Sequence, residues 1–290
     1  MTTMANESKQ PSTNELWTIR RVLDWTRSHF EKQDVDAPRL TAELLLAHVL
    51  ELDRVRLYTD IDRPLSKDEL AGFRALIQRR SSGEPTQYLT GVKEFYGRKF
   101  AVDPRVLIPR PETELLVEAV LRELPKDARV IDLCTGSGCI AATLALERPD
   151  ATVFAADISA DACVVAKANC EKLGAKVTIA QGDLFGALEG RFDVIVSNPP
   201  YVKAGALSTL QREVQREPKA ALDGGADGLE LIRRIASEAL GRGGALALEI
   251  GDDQGEHVRE ILLRAGYRDV RIEKDLARLD RLAFARAPRS

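Results

Sequence analysis

From residue 112 onward, short apolar runs alternate with stretches of helical period, and this alternation limits the fold more than any other feature of the chain. The runs are RVIDL, TVFAADI, KVTIAQ, FDVIV, GALALEI, DVRIEK and RLAFARA. Helical stretches are expected between the first six. Near-continuous apolar strands joined by helices form a parallel sheet covered on both faces. The last two runs have only a short joint, ARLD, so one of them is expected to run antiparallel. The fold class is therefore α/β, with a mostly parallel seven-stranded sheet.

Residues 14–83 follow a different pattern, with helix signals and almost no strand signals. Leu16, Ile19, Val22, Leu23 and Trp25 or Thr26 fall near one helical face, and a second helix is expected after Pro38, carrying Leu40, Leu44, Leu45, Ala47 and Val49. A third begins at Ser66, with Glu69 placed to complete a capping box. A small all-helical domain is expected here, with RRSSG (79–83) as a solvated helix end. Trp17 and Trp25, eight residues apart, are read as core residues, with a partner-binding patch as the alternative. Residues 84–111 are aromatic and β-branched and are broken by Gly91 and Gly97, which predicts a β-hairpin followed by a connector stiffened by Pro104, Pro109 and Pro111. Residues 1–13 read as a flexible terminus and 112–290 as the sheet-containing domain.

With 44% hydrophobic and 30% charged residues, the chain has the balance of a globular protein with a real core. No apolar stretch reaches membrane length, and MTTMANESKQPSTNE lacks the apolar centre of a secretory signal, so a cytoplasmic protein is expected. Net charge is −3, and residues 1–90 hold 13 Lys/Arg against 14 Asp/Glu. Phosphate neutralisation needs a basic surplus, so no nucleic acid is expected as a required partner. Cys134, Cys139, Cys163 and Cys170 contain no C-x-x-C pair, and His29, His48 and His257 lie far from them in sequence, so no metal site is expected. Cys163 and Cys170 sit seven apart on one expected helix and are read as packed inward.

RVIDLCTGSGCIAATLAL reads as a strand, a tight turn and a helix. Gly136 and Gly138 let the backbone approach a ligand, and the helix start presents free N–H groups. No Lys-Ser or Lys-Thr follows, which excludes a Walker-type loop, and the glycine triplet of dinucleotide folds is missing. The next strand ends in Asp157, 21 residues after Gly136, where an acid accepts from ribose hydroxyls. The third ends in QGDLF, so that Asp183 can accept from an adenine amino group and Leu184 can pack on the ring. Each aspartate by itself reads better as a cap or turn residue. Three successive strand ends with such groups point instead to a nucleoside site. The arrangement resembles the S-adenosylmethionine-dependent methyltransferases, which use D-x-x-T-G-S-G turns of this kind.

The fourth run must stop at Asn198, because Pro199 and Pro200 cannot continue a strand inside a sheet. The tetrapeptide Asn198-Pro199-Pro200-Tyr201 thus reaches the same edge. An amide nitrogen has its lone pair delocalised and is a poor nucleophile. Two acceptors gripping its N–H bonds, the Asn198 side-chain oxygen and the Pro199 carbonyl, would align it and take up positive charge as it develops. The prolines stiffen the backbone, and Tyr201 offers a face for a planar group.

The surrounding words narrow the resemblance. GEPTQYLTG (83–91), EFYG (94–97), VLIPRPETE (106–114), DLCTGSGCIA (132–141), VSNPPY (196–201), EPKAALDGGADGL (217–229) and EIGDDQ (249–254) closely resemble the release factor glutamine methyltransferase family, PrmC/HemK, over about residues 15–286. That resemblance implies a Rossmann-like methyltransferase fold and a helical domain that helps grip a release factor. It implies transfer from S-adenosyl-L-methionine to the side-chain amide nitrogen of the glutamine in a Gly-Gly-Gln motif, with S-adenosylhomocysteine as product. Carried over by position, it gives cofactor binding to Cys134, Thr135, Gly136, Ser137, Gly138, Asp157, Asp183, Leu184 and Asn198. Substrate binding falls to Asn198, Pro199, Pro200 and Tyr201, of which Asn198, Pro199 and Tyr201 are catalytic. A monomer is expected. Cys134 stands where glycine is usual, which implies that its backbone need not take positive φ. Leu184 stands where some members carry a larger side chain. Arg110, Glu112 and Glu114 read as the start of a helix opened by Pro111, with acids suited to its dipole. Two rivals are a nucleic-acid amino-methyltransferase, disfavoured by the neutral amino-terminal region, and a non-catalytic scaffold, disfavoured because donor and acceptor sites both look complete.

Overall fold

The computed structural model describes residues 16–186 and 188–288, which form two compact units with their boundary between Thr90 and Gly91. The terminal segment 1–13 lies outside the described residues. In the amino-terminal unit, helices α1 (Ile19–Glu31), α2 (Pro38–Leu50), α3 (Arg54–Thr59), α4 (Lys67–Ser81) and α5 (Thr86–Thr90) follow one another. α2 is the central helix and packs against the other four. Its apolar residues, including Leu45, Leu46 and Ala47, surround the axis instead of forming one stripe, as a helix packed on several sides requires. Glu43 is nonetheless buried on it, and its carboxylate accepts from Arg39, Arg54 and Tyr58.

Three expectations in this unit change. Residues 86–90, read as the opening of a hairpin, form α5, which buries Tyr88 and Leu89. Trp25 is 52% exposed, because the buried face of α1 is Ile19, Val22, Thr26 and Phe30, and Trp25 lies off that line and stacks on His29. Of the expected solvated helix end, Arg79 pairs at the surface with Glu84, whereas Arg80 is buried.

The second unit begins with the antiparallel hairpin β1 (Val92–Phe95) and β2 (Arg98–Ala101). Its two-residue turn has φ of 49° at Tyr96 and 70° at Gly97, the paired positive values of a turn that matches strand twist. Then come α6 (Pro111–Glu123), β3 (Arg129–Leu133), α7 (Cys139–Glu147), β4 (Thr152–Asp157), α8 (Ala160–Leu173), β5 (Val177–Gln181) and β6 (Val194–Ser197). The chain ends with α9 (Glu230–Leu240), β7 (Ala245–Glu249), α10 (Gly255–Ala265), β8 (Arg268–Lys274) and β9 (Asp280–Arg286). The sheet order is β5-β4-β3-β6-β7-β9-β8, with β9 antiparallel to both its neighbours. Alternate residues of one strand feed opposite faces: Val130 joins a core with Leu116, Val120 and Leu144, and Ile131 joins one with Ile232, Ile235 and Leu262. Cys163 and Cys170 are both buried on α8.

No helix joins β5 to β6 among the described residues, contrary to the expected alternation. Gly182, Gly186 and Gly190 interrupt that short connection, which instead buries Leu184 and Phe185. Strand order reverses between β3 and β6, and at that point their carboxyl ends leave a crevice.

In α4 the capping box is complete: Ser66 Oγ accepts from Glu69 N at 3.2 Å, and Glu69 Oε2 accepts from Ser66 N at 2.7 Å. Ser66→Ala is expected to cost about 1 kcal/mol, read as a lower denaturation midpoint, and Ser66→Asp should retain most of the stability. Equal midpoints for all three proteins would show that the cap contributes nothing.

Candidate active site

The turn after β3 is built on a buried carboxyl. Asp132 Oδ2 accepts from Thr135 Oγ1 at 2.6 Å and from Ala141 N at 3.2 Å, while its Oδ1 is buried with no partner among the described residues. Thr135 N donates to Ala156 O on β4, and Gly138 N donates back to Thr135 O. These bonds reverse the chain within a few residues and force Cys134 to φ 58°, so the expectation that its backbone would avoid positive φ is corrected. A side chain there costs about 1 kcal/mol or more. Burial pushes the Cys134 thiol up to about 12, which keeps it neutral. Gly136, at φ 54°, has open space where a Cβ would sit, whereas a Cβ on Gly138 would lie 3.1 Å from that of Ala166.

A cavity of about 570 Å³ opens beside this turn, within the usual size of a small-molecule site. Cys134, Gly136, Asp157, Asp183, Leu184, Asn198 and Pro200 line it. Thr135, Ser137, Gly138, Pro199 and Tyr201 are not among its lining residues. Thr135 and Ser137 are instead bonded within the turn's support: the Ser137 carbonyl accepts from Asn169 Nδ2, which also binds Ala101 O, while Asn169 Oδ1 accepts from Ala101 N. The hairpin and α8 thus brace the turn together.

Asp157 Oδ2 accepts from Gly136 N and its Oδ1 from Ser159 N, both at 2.9 Å. Burial raises this carboxyl above its ordinary range. Asp183 is more exposed and pairs with Arg234 at 2.8 Å. Leu184 is buried at φ 50°. Sequence reasoning missed Ile158, an apolar side chain 65% exposed on the cavity wall. Its signal was its place immediately after the ribose-suited acid.

Asn198 is tied to residues far away in sequence. Its Nδ2 donates to Thr113 Oγ1 at 3.1 Å, and Thr113 Oγ1 donates to Glu249 Oε2 at 2.6 Å. Glu249 Oε1 accepts from Tyr201 OH at 3.3 Å. Burial raises both the Glu249 carboxyl and the Tyr201 phenol above their ordinary ranges. The backbone of the tetrapeptide is clamped as well. Gln254 Nε2 donates to Tyr201 O at 3.0 Å and to Gly228 O at 3.2 Å, and its Oε1 accepts from Gly251 N.

Comparison with known proteins decides the family. A profile described as the PrmC N-terminal domain matches residues 21–91, and one described as the methyltransferase small domain matches residues 111–252. Over 277 residues the chain is 47% identical to the release factor glutamine methyltransferase of Geobacter sulfurreducens, covering 94% of this chain and 98% of that one. It is 46% identical over 281 residues to that of Koribacter versatilis, covering 94% and 100%. The chain belongs to the release factor glutamine methyltransferase family. Among solved structures, a methyltransferase from Pyrococcus furiosus shares the fold at a TM-score of 0.51 and 21% identity, over 66% of this chain and 89% of that one.

The segments that carry the family resemblance have visible duties in this methyltransferase. Arg110 pairs at 2.6 Å with the buried Glu217, which also accepts from Ile108 N, so IPRPETE and the 217–229 segment hold each other. Glu114 accepts from Tyr96 N at the hairpin turn. Gly224 and Gly228 lie where a Cβ would stand 2.8 Å and 2.4 Å from backbone atoms of the NPPY segment. None of these pairs could be read from spacing, because each joins segments distant in sequence.

Burial pushes the Asp132 carboxyl up to about 7, against about 4 for an exposed aspartate. The folded chain therefore holds this proton more firmly than the unfolded chain, and stability falls as pH rises between those values. The contribution is at most about 4 kcal/mol. Asp132→Asn keeps an acceptor for Thr135 and Ala141 but does not titrate. Melting temperatures from pH 5 to 8 should move in the variant's favour relative to wild type. A difference independent of pH would refute the raised value.

Proposed function

We propose that this enzyme transfers a methyl group from S-adenosylmethionine to the side-chain amide nitrogen (N5) of the glutamine in the Gly-Gly-Gln motif of peptide chain release factors, thereby supporting translation termination. Membership of the release factor glutamine methyltransferase family supports the activity. The observation that carries the site assignment is the orientation of Asn198, whose Nδ2 points to Thr113 and leaves Oδ1 for an N–H donor.

The residues present fit the methyl donor. Gly136 offers open backbone where a side chain would intrude, and the buried Asp132 Oδ1 beneath the turn is a polar atom with no partner among the described residues. Asp157 would accept from the ribose hydroxyls, Asp183 from the adenine amino group, and Leu184 with Ile158 would flank the ring. Cys134, Thr135, Gly136, Ser137 and Gly138 would form the turn at its amino-acid end. When bound, it supplies an electrophilic methyl group on a sulfonium centre.

On the acceptor side, the Asn198 side-chain oxygen and the Pro199 carbonyl would each accept one N–H of the glutamine amide. Two neutral acceptors would orient the nitrogen and stabilise positive charge on it as the N–C bond forms and the S–C bond breaks, sulfur keeping the electron pair as S-adenosylhomocysteine, and one amide proton would then pass to water. Pro200 fixes the backbone and Tyr201 supports it. Burial raises the Tyr201 phenol, so Tyr201 is neutral near physiological pH and serves in packing and hydrogen bonding instead of as a base. The near-balance of charge in residues 1–90 supports a protein substrate with no required nucleic acid. The enzyme is read as a cytoplasmic monomer.

The test is mass spectrometry after incubation with S-adenosylmethionine and unmodified release factor, a Gly-Gly-Gln→Gly-Gly-Ala release factor, or duplex DNA. A one-methyl increase on the glutamine of the first substrate alone is expected. Label on DNA alone would overturn the substrate assignment. Asn198→Ala is expected to lower turnover by about 100-fold through lost alignment, with methyl-donor affinity by calorimetry nearly unchanged. Equal losses in both would remove its aligning role.

A further inference from the structure

Thr113 occupies the first turn of α6, yet its hydroxyl is bonded across the unit to Glu249, at the end of β7. Both side chains are almost completely buried, at 2% and 1% exposure. A carboxylate withdrawn from water is costly unless donors satisfy it. Glu249 has two, Thr113 Oγ1 at 2.6 Å and Tyr201 OH at 3.3 Å. The positive charge of Arg281 on β9 also acts on it, and Arg281 is itself paired with Asp275.

The direction of these bonds has a chemical consequence. Glu249 Oε2 accepts the Thr113 hydroxyl proton, and a hydroxyl has only one proton to give. With that proton committed to Glu249, Thr113 can meet Asn198 only as an acceptor. The amide must then present Nδ2 inward, and Oδ1 faces the other way. We infer that Thr113 and Glu249 are positioning residues that select which end of the Asn198 amide meets the substrate. Without the Thr113 hydroxyl, both faces of the amide become available, and the flipped form offers an N–H donor to a substrate that itself has only N–H donors to offer there. The relay thus acts as a filter on amide orientation. It also gives the IPRPETE and EIGDDQ segments a common task at one atom of the tetrapeptide.

The relay rests on the glutamine-gripping role proposed for Asn198, and single-turnover kinetics on release factor separates the two. Thr113→Val keeps the shape and removes the hydroxyl, and Thr113→Ser keeps the hydroxyl and removes the methyl. Thr113→Val is expected to lower turnover by about 10- to 100-fold, with methyl-donor affinity close to wild type and a lowered melting temperature, because the buried Glu249 loses a donor. Thr113→Ser should restore most of the rate even if both variants lose similar stability. In an Asn198→Ala background, Thr113→Val should cost nothing further, because the group it orients is gone. Equal losses for the valine and serine variants would overturn the relay in favour of packing. An undiminished effect of Thr113→Val in the Asn198→Ala background would overturn it while leaving Asn198 in place. Full turnover by Asn198→Ala would overturn the glutamine-gripping role and the relay with it.

Discussion

The pairing of β3 with β6 is the constraint on which the rest of this enzyme depends. Leu133 stands opposite Ser197, and Ser197 Oγ donates to Leu133 O at 2.7 Å, closing the register at the last paired residues. Each chain then departs at the same level, one into the glycine turn and the other into Asn198. A slip of one residue would invert every side chain of β6 between the two cores. It would also move the tetrapeptide away from the cavity.

Polar groups are buried at this edge at considerable cost. Asp132, Ser197 and Glu249 are all inaccessible in the interior of the sheet. Their partners explain why the cost is sustained. Asp132 shapes the turn through Thr135 and Ala141, and Glu249 meets Thr113 and Tyr201, so each buried carboxyl fixes geometry that an apolar residue could not. Strain appears beside them, at Cys134 and Leu184, both in the left-handed region and both on the cavity wall. Two of the side chains held at positive φ therefore border the cavity, whereas others, such as Ala37, Tyr96 and Arg278, lie elsewhere.

The amino-terminal unit is organised differently. Its stability comes from α2, which is packed on several sides and carries one buried carboxylate satisfied by three donors. Its surface includes the stacked pair Trp25 and His29, with Arg21 over the Trp17 ring. Helical period alone located α1, α2 and α4 but could not decide the facing of Trp25, because a tryptophan near the edge of an apolar stripe is placed by its neighbours.

By itself, the sequence determined the alternation of strand and helix, the seven strands, the capped start of α4 and the stop at Asn198. These depend on local physics: residue period, capping hydroxyls and the missing N–H of proline. The candidate donor residues were legible for the same reason, since each lies at the end of a recognisable strand. Tertiary structure alone decided what those ends face. It set the positive φ of Cys134, the unexpected absence of a helix before β6 among the described residues, and the meeting of Thr113, Asn198, Tyr201 and Glu249. Thr113 and Glu249 are 136 residues apart, and nothing in their local sequence distinguishes a buried hydrogen bond from a solvent-facing helix start and a strand end. Only packing of α6 against β7 removes water from both and makes each the other's partner.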